Sequence, residues 1–146
     1  MIFFGEEVNK EFLQIQKGDI LIWEGYQFED GSEKDSRFLV LSNYKDDTIL
    51  VVRSTASVEF YENPKVSIYR EFIDIPSGQE KALPKRTIID LNSVRILSIG
   101  EVNKLFGATV KKKGVASEKL LQDVNSMSQN SRTLRRDWKE WIKSSS

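Results

Sequence analysis

The apolar run Ile20-Leu21-Ile22-Trp23 follows the breaker Lys17-Gly18-Asp19 and predicts a first strand. A polar segment from Phe28 to Ser36 comes next and contains Gly31-Ser32-Glu33. Arg37 then leads Phe38-Leu39-Val40-Leu41-Ser42, and a second apolar run ends in Arg53-Ser54-Thr55. Asn43-Tyr44-Lys45-Asp46-Asp47 lies between the two runs and has the residues of a polar turn, so the pair predicts a hairpin. A hairpin centred near Asp46 sets Arg37 opposite Thr55 or Ser54. One fixed cation and one or two hydroxyls then meet at the open end of a sheet, beside a glycine-containing loop.

Flanking segments extend this pattern. Phe4, Val8 and Phe12 recur at helical spacing and predict a short helix within residues 1–16. Val66 to Ile75 alternates weakly between Asn63-Pro64 and Pro76-Ser77-Gly78 and reads as a strand. Arg86 to Asp90 and Val94 to Leu97 read as two short strands separated by Asn92-Ser93. The period then changes. Ser98 and Glu101 have the spacing of a capping box, opening a helix that runs through Leu105 and ends near Gly107. Lys111-Lys112-Lys113-Gly114 reads as a basic loop. Ser117 opens a helix with Leu120, Leu121, Val124 and Met127 on one face. A polar linker, Ser126 to Ser131, precedes a terminal helix over 131–143 that carries Leu134, Trp138, Trp141 and Ile142 on one stripe. The expected fold is mainly β with appended α-helices: a small, curved, antiparallel barrel.

Composition narrows the chemistry. At 146 residues the chain suits one compact domain, and 39% hydrophobic content suits a folded one. It has neither cysteine nor histidine, which removes disulfides, thiolate catalysis, the usual triads and the two-histidine ribonuclease mechanism. No clustered ligands for a metal are evident, so neither metal nor cofactor is expected. Lys plus Arg and Asp plus Glu both number 22, so the whole chain has no net field to attract a polyanion and any such attraction is local. The opening Met1-Ile2-Phe3-Phe4 is short for a signal sequence, and no apolar stretch has membrane-spanning length, so a cytoplasmic protein without membrane partners is expected.

The remaining chemistry rests on Arg, Lys, Asp, Glu, Tyr, Ser and Thr. Arg37 has a bidentate fork suited to a phosphodiester, and Thr55 is a hydrogen-bond donor, with Ser54 or Ser57 as substitutes. Glu33 is the conventional base. Arg53 adds a second phosphate contact or lies along the surface as a snorkelling side chain. Trp23, Tyr26 and Phe28 flank the first loop, where unpaired bases stack on aromatic rings, although core packing is the simpler reading of Trp23. The basic terminal helix has a face suited to RNA or lipid, but docking on the domain or on a second subunit is simpler.

In order along residues 17–127, these motifs resemble the MazF/PemK family of bacterial toxin endoribonucleases. The resemblance rests on Gly18-Asp19-Ile20, Gly31-Ser32-Glu33, Arg37 with the strand ending in Ser42, Thr55, the segment Ile88 to Arg95, and Gly114-Val115 before Ser117 to Leu121. Phe38 stands where that family has proline, two loops are shorter, and both ends are extended. The resemblance implies an SH3-like barrel of the plasmid-maintenance-toxin type. It also implies metal-independent cleavage of single-stranded RNA by 2′-OH attack, as the toxin of a type II toxin–antitoxin system. Arg37, Thr55 and Glu33 then become catalytic residues, and Gly31, Ser32, Ser54, Ser57 and Arg53 become RNA contacts. The implied partners are single-stranded RNA, an antitoxin peptide or protein, and a second copy in a homodimer. A catalytically silent relative that binds nucleic acid or a protein is the alternative.

Overall fold

The computed structural model describes residues 14–68, 70–105 and 109–145. The helix expected around Phe4 to Phe12, and Gly107, lie outside them. Six strands form one antiparallel sheet: β1 (Asp19–Gln27), β2 (Glu33–Val40), β3 (Thr48–Thr55), β4 (Phe72–Ile75), β5 (Thr87–Ser98) and β6 (Val110–Val115). Their spatial order is β4-β5-β3-β2-β1-β6. The fold is therefore mainly β, as expected, but the described pairings leave β4 and β6 as edges and do not close the sheet into a barrel.

The hairpin turns where the polar residues place it. Asp46 and Asp47 have φ of 50° and 61°, and Lys45 bridges Thr48. Two successive left-handed residues are what a tight hairpin needs to match strand twist, and aspartate tolerates that region better than most side chains. Phe38 then pairs with Arg53, Leu39 with Val52 and Val40 with Val51.

Both faces of the sheet are buried. Ile20, Leu39, Leu50 and Val52 face one way, onto α4 (Glu118–Asn130) and α5 (Arg136–Ser144). Leu21, Phe38, Val40, Ile49 and Val51 face the other way, toward Val102 of α3 (Ile99–Leu105) and Ile15. The continuous apolar runs in β2 and β3 follow from this double coverage.

The helix starts behave as their sequences predict. Ser98 Oγ accepts the Glu101 amide at 3.1 Å, and Ser117 Oγ accepts the Leu120 amide at 3.2 Å. On α5 and the turn before it, Leu134, Trp141 and Ile142 are buried in the sheet's core and Trp138 is half-buried against it. The Trp141 indole donates to the Asn43 carbonyl at 2.9 Å. Lys17 Nζ donates to the carbonyls of Ile142 and Ser145, placing a cation on the negative end of α5.

Four local expectations are corrected. Val66 and Ser67 are helical: Asn63 caps α2 (Pro64–Ser67), following α1 (Glu59–Glu62), and proline occupies the first helical position it suits. Only Phe72–Ile75 of that segment is a strand. Residues 87–98 form one strand, because the Asn92-Ser93 break is a bulge where the register against β3 shifts, between Val52 and Ser54. Lys111 to Lys113 are in β6, paired with β1; Glu24 and Asp19 neutralise Lys111 and Lys112 at 3.0 and 3.3 Å. Lysines suit an edge strand, where they oppose pairing with another chain. Ser126 to Asn130 continue α4 instead of forming a linker.

The α4–α5 turn is held by Glu71, which accepts the Ser131 and Thr133 hydroxyls at 2.6 and 2.5 Å and the Arg132 amide at 2.9 Å. Burial pushes the Glu71 carboxyl upward, but those hydrogen bonds together outweigh it and hold the group below its ordinary value. A carboxyl lowered on folding adds stability above its unfolded pKa, and that stability is lost as pH falls through the folded one. Glu71→Gln is therefore expected to lower the melting temperature at pH 7. The gap should close as pH falls below about 4, where carboxylates protonate; a gap that persists unchanged to pH 2 would count against this assignment.

Candidate functional site

At the end of the sheet formed by the β1–β2 loop, the start of β2 and the end of β3 lies a cavity of about 750 Å³. Glu33, Arg37, Arg53, Ser54, Thr55 and Ser57 line it, with Ser32 and Phe28 from the loop and Leu83, Pro84, Lys85 and Thr87 from the approach to β5. Seven of the eight residues singled out from sequence thus border one space. The eighth, Gly31, lies outside it. Its φ of 86° closes the loop, in which its amide donates to the Phe28 carbonyl and the Phe28 amide donates to that of Ser32.

Register decides which side chains share a face. Phe38 pairs with Arg53, so Arg37 stands beside Ser54, whose hydroxyl donates to the Arg37 carbonyl at 2.9 Å. Side chains alternate along a strand, so Arg37 and Ser54 follow Leu39 and Val52 onto the α4–α5 side. Arg53 and Thr55 follow Val51 onto the opposite side. The hydroxyl facing Arg37 is that of Ser54, not Thr55, and the cavity wraps around the sheet's end. The Thr55 hydroxyl accepts the Ser57 amide at 3.1 Å, which fixes the turn leaving β3. Glu33 shares Arg37's side of β2, but four residues along an extended strand put their backbones roughly 13 Å apart.

The cations of this cavity lack carboxylate partners among the described residues, as do Arg132 and Arg136 near the start of α5. Arg70, Arg86, Arg95 and Arg135 each have a carboxylate within 2.7–3.4 Å. Among the described residues Arg37 and Arg53 have none, and neither do Lys34 and Lys85 on the cavity wall. The Arg37 Nε is buried and has no hydrogen-bond partner. The nearby acids are partly engaged: Asp35 Oδ1 accepts the Gly25 amide at 2.9 Å, and Asp30 accepts both the amide and the hydroxyl of Ser32. Such an arrangement can take an anion, and its hydroxyls can supply further hydrogen bonds.

The aromatic residues of the first loop divide. Trp23 meets Tyr26 and Phe38 at 5.0 and 5.8 Å, and the Arg95 guanidinium lies over Trp23 at 5.6 Å. The Tyr26 hydroxyl accepts from Arg95 at 3.0 Å. Phe28 alone of the three borders the cavity, with the Arg53 guanidinium 4.9 Å above its ring. Sequence reasoning missed Lys85 and Thr87, because the topology brings them in from a segment some thirty residues beyond Thr55. No local pattern marks them.

Among the described residues no group of three or more histidine, cysteine or acidic side chains is placed to hold a metal, and no helix is long and apolar enough to cross a membrane. In comparisons with known proteins, no family model and no curated protein matches the chain.

Proposed function

We propose that this cavity binds single-stranded RNA and cleaves it without metal, as the resemblance to the MazF/PemK toxins implies. The observation that carries the reading is a pair of arginines, left without carboxylate partners, bordering one cavity with Ser54, Thr55, Ser57 and Glu33. A phosphodiester supplies the missing negative charge. In the proposed step the ribose 2′-oxygen attacks the adjacent phosphorus and loses its proton to Glu33. The bond from phosphorus to the 5′-oxygen breaks, and that oxygen takes a proton from solvent. A cyclic phosphate and a 5′-hydroxyl result. Arg37 stabilises the charge that builds on the nonbridging oxygens, Thr55 on the other side of the sheet's end donates a hydrogen bond to the adjoining nucleotide, and Arg53, Ser32, Ser54 and Ser57 line the path of the flanking strand. In this reading the sheet is an open-edged variant of that family's SH3-like barrel. The chain acts in the cytoplasm as a homodimer, restrained by an antitoxin peptide lying in the same groove.

One observation favours a second reading, a silent module that binds RNA without cutting it. Glu33 lies four residues along β2 from Arg37, far for a base that must share one phosphodiester with it. Incubation with a long unstructured RNA in EDTA separates the two. Cleavage to cyclic-phosphate ends, undiminished by EDTA, is the expected result. Loss of cleavage in EDTA with recovery in magnesium would overturn the mechanism, and binding without cleavage would establish the silent module.

A further inference from the structure

The Arg53–Phe28 pair is unlike the other cation–ring contacts around the sheet. Arg95, which lies over Trp23 and Tyr26, is spent on the Tyr26 hydroxyl and the Glu101 carboxylate at 3.0 and 3.2 Å. Arg53 has no carboxylate partner among the described residues, and its guanidinium rests 4.9 Å from the centre of the Phe28 ring. That ring is half-buried and backed by Tyr26, which meets it edge-on at 5.3 Å. Phe28 and Arg53 both border the cavity that holds Arg37. A flat cation layered on a braced aromatic ring is a platform for another flat, electron-rich group. Nucleobases stack on both aromatic rings and guanidinium planes.

We infer that Phe28 and Arg53 form a base-stacking subsite, which holds one unpaired nucleobase next to the phosphate bound at Arg37. The inference rests on the reading of the cavity as a polynucleotide site and adds how that site grips its ligand. Arg37 and Arg53 follow opposite faces of the sheet, so a strand crossing the sheet's end presents its phosphate to one and its base to the other. A paired base has its faces already stacked in a duplex, so the subsite selects single strands. It also tolerates different bases, because every base has a π-face.

A labelled 2′-O-methyl oligonucleotide tests this, since it lacks the attacking hydroxyl and reports binding whether or not the protein cleaves RNA. The same backbone with abasic sugars, the matching duplex and a free mononucleotide complete the set. Phe28→Leu is expected to weaken the base-bearing strand by roughly ten- to a hundredfold, as for the loss of one stacked base. Abasic binding should be unchanged. Arg53→Lys keeps the charge but loses the plane, and should discriminate the two strands in the same direction without disturbing the Phe28 packing. Equal weakening of both strands by both variants would overturn the inference, as would wild-type affinity in both. It would also fall if wild type bound the base-bearing and abasic strands equally, or bound the duplex or the mononucleotide as tightly as the single strand. A protein that binds the base-bearing strand through Phe28 but cuts no RNA would overturn the cleavage reading alone.

Discussion

Arg37→Ala is expected to abolish RNA cleavage while the protein melts within about 0.5 kcal/mol of wild type, the range usual for changes outside the core. The catalytic loss should reach roughly 10²–10³-fold or more, the scale for removing one donor aimed at developing charge. Two observations support so lopsided an outcome. The Arg37 Nε is buried with no partner, so the folded state gains no hydrogen bond from it. No carboxylate pairs with the guanidinium among the described residues, so removing it leaves no buried anion behind. Thr55→Ala should lose less, roughly tenfold to a hundredfold, because alternation places Thr55 on the other side of the sheet from Arg37. Cleavage rates and melting curves of the two variants, taken together, check this. A fully active Arg37→Ala protein would move the site elsewhere.

The largest expected effect on stability comes from the terminal helix. Trp141 is 9% exposed and Ile142 is fully buried, and both join Leu39, Leu50 and Val52 in one core. Truncating a buried aromatic costs about 3–5 kcal/mol, and Trp141→Ala also removes the indole's hydrogen bond to the Asn43 carbonyl. Net stability of such domains is about 5–15 kcal/mol, so this one change consumes a large share. Trp138→Ala should cost clearly less. Trp138 is half-buried, and the Arg135 guanidinium 4.9 Å over its ring keeps the contact partly in solvent. Urea titrations of both variants give the comparison. Equal midpoints would show that α5 does not depend on its buried face. Truncation before Ser131 should unfold the protein, because it strips the α5 side of a core that the sheet cannot cover alone.

How much of this was legible in the chain varies with the kind of signal. Signals that act over a few residues read well. Asp46-Asp47 at the hairpin, Ser98 with Glu101, and Ser117 before Leu120 each state their own local geometry, because turn and cap hydrogen bonds close within four residues. Signals that depend on a neighbour across the sheet did not. The Lys111–Lys113 run looks like solvated loop until Glu24 and Asp19 on β1 are beside it. The Asn92-Ser93 break looks like a loop between strands, yet β3 runs alongside both halves and carries them as one strand with a bulge. Asn63-Pro64 reads as the boundary of an alternating segment, yet it starts a short helix that takes in Val66 and Ser67. In each case tertiary pairing or a cap overrode a weak period.

The same division holds at the site. By itself the sequence determined the two apolar runs, the turn between them and hence a cation and hydroxyls at one sheet end. It also determined the absence of histidine and cysteine, which confines side-chain catalysis to arginine, lysine, carboxylates and hydroxyls. Only the tertiary structure decided that Ser54 faces Arg37 while Thr55 and Arg53 face away. A register shift of one residue would exchange those faces, and that shift is set by how Phe38 and Arg53 pair. Only the tertiary structure brought Lys85 and Thr87 to the cavity wall and left Arg37 and Arg53 without the carboxylates that Arg70, Arg86, Arg95 and Arg135 find. Strand alternation and turns are properties of neighbouring residues. Neutralisation and enclosure are properties of whatever the fold sets alongside them.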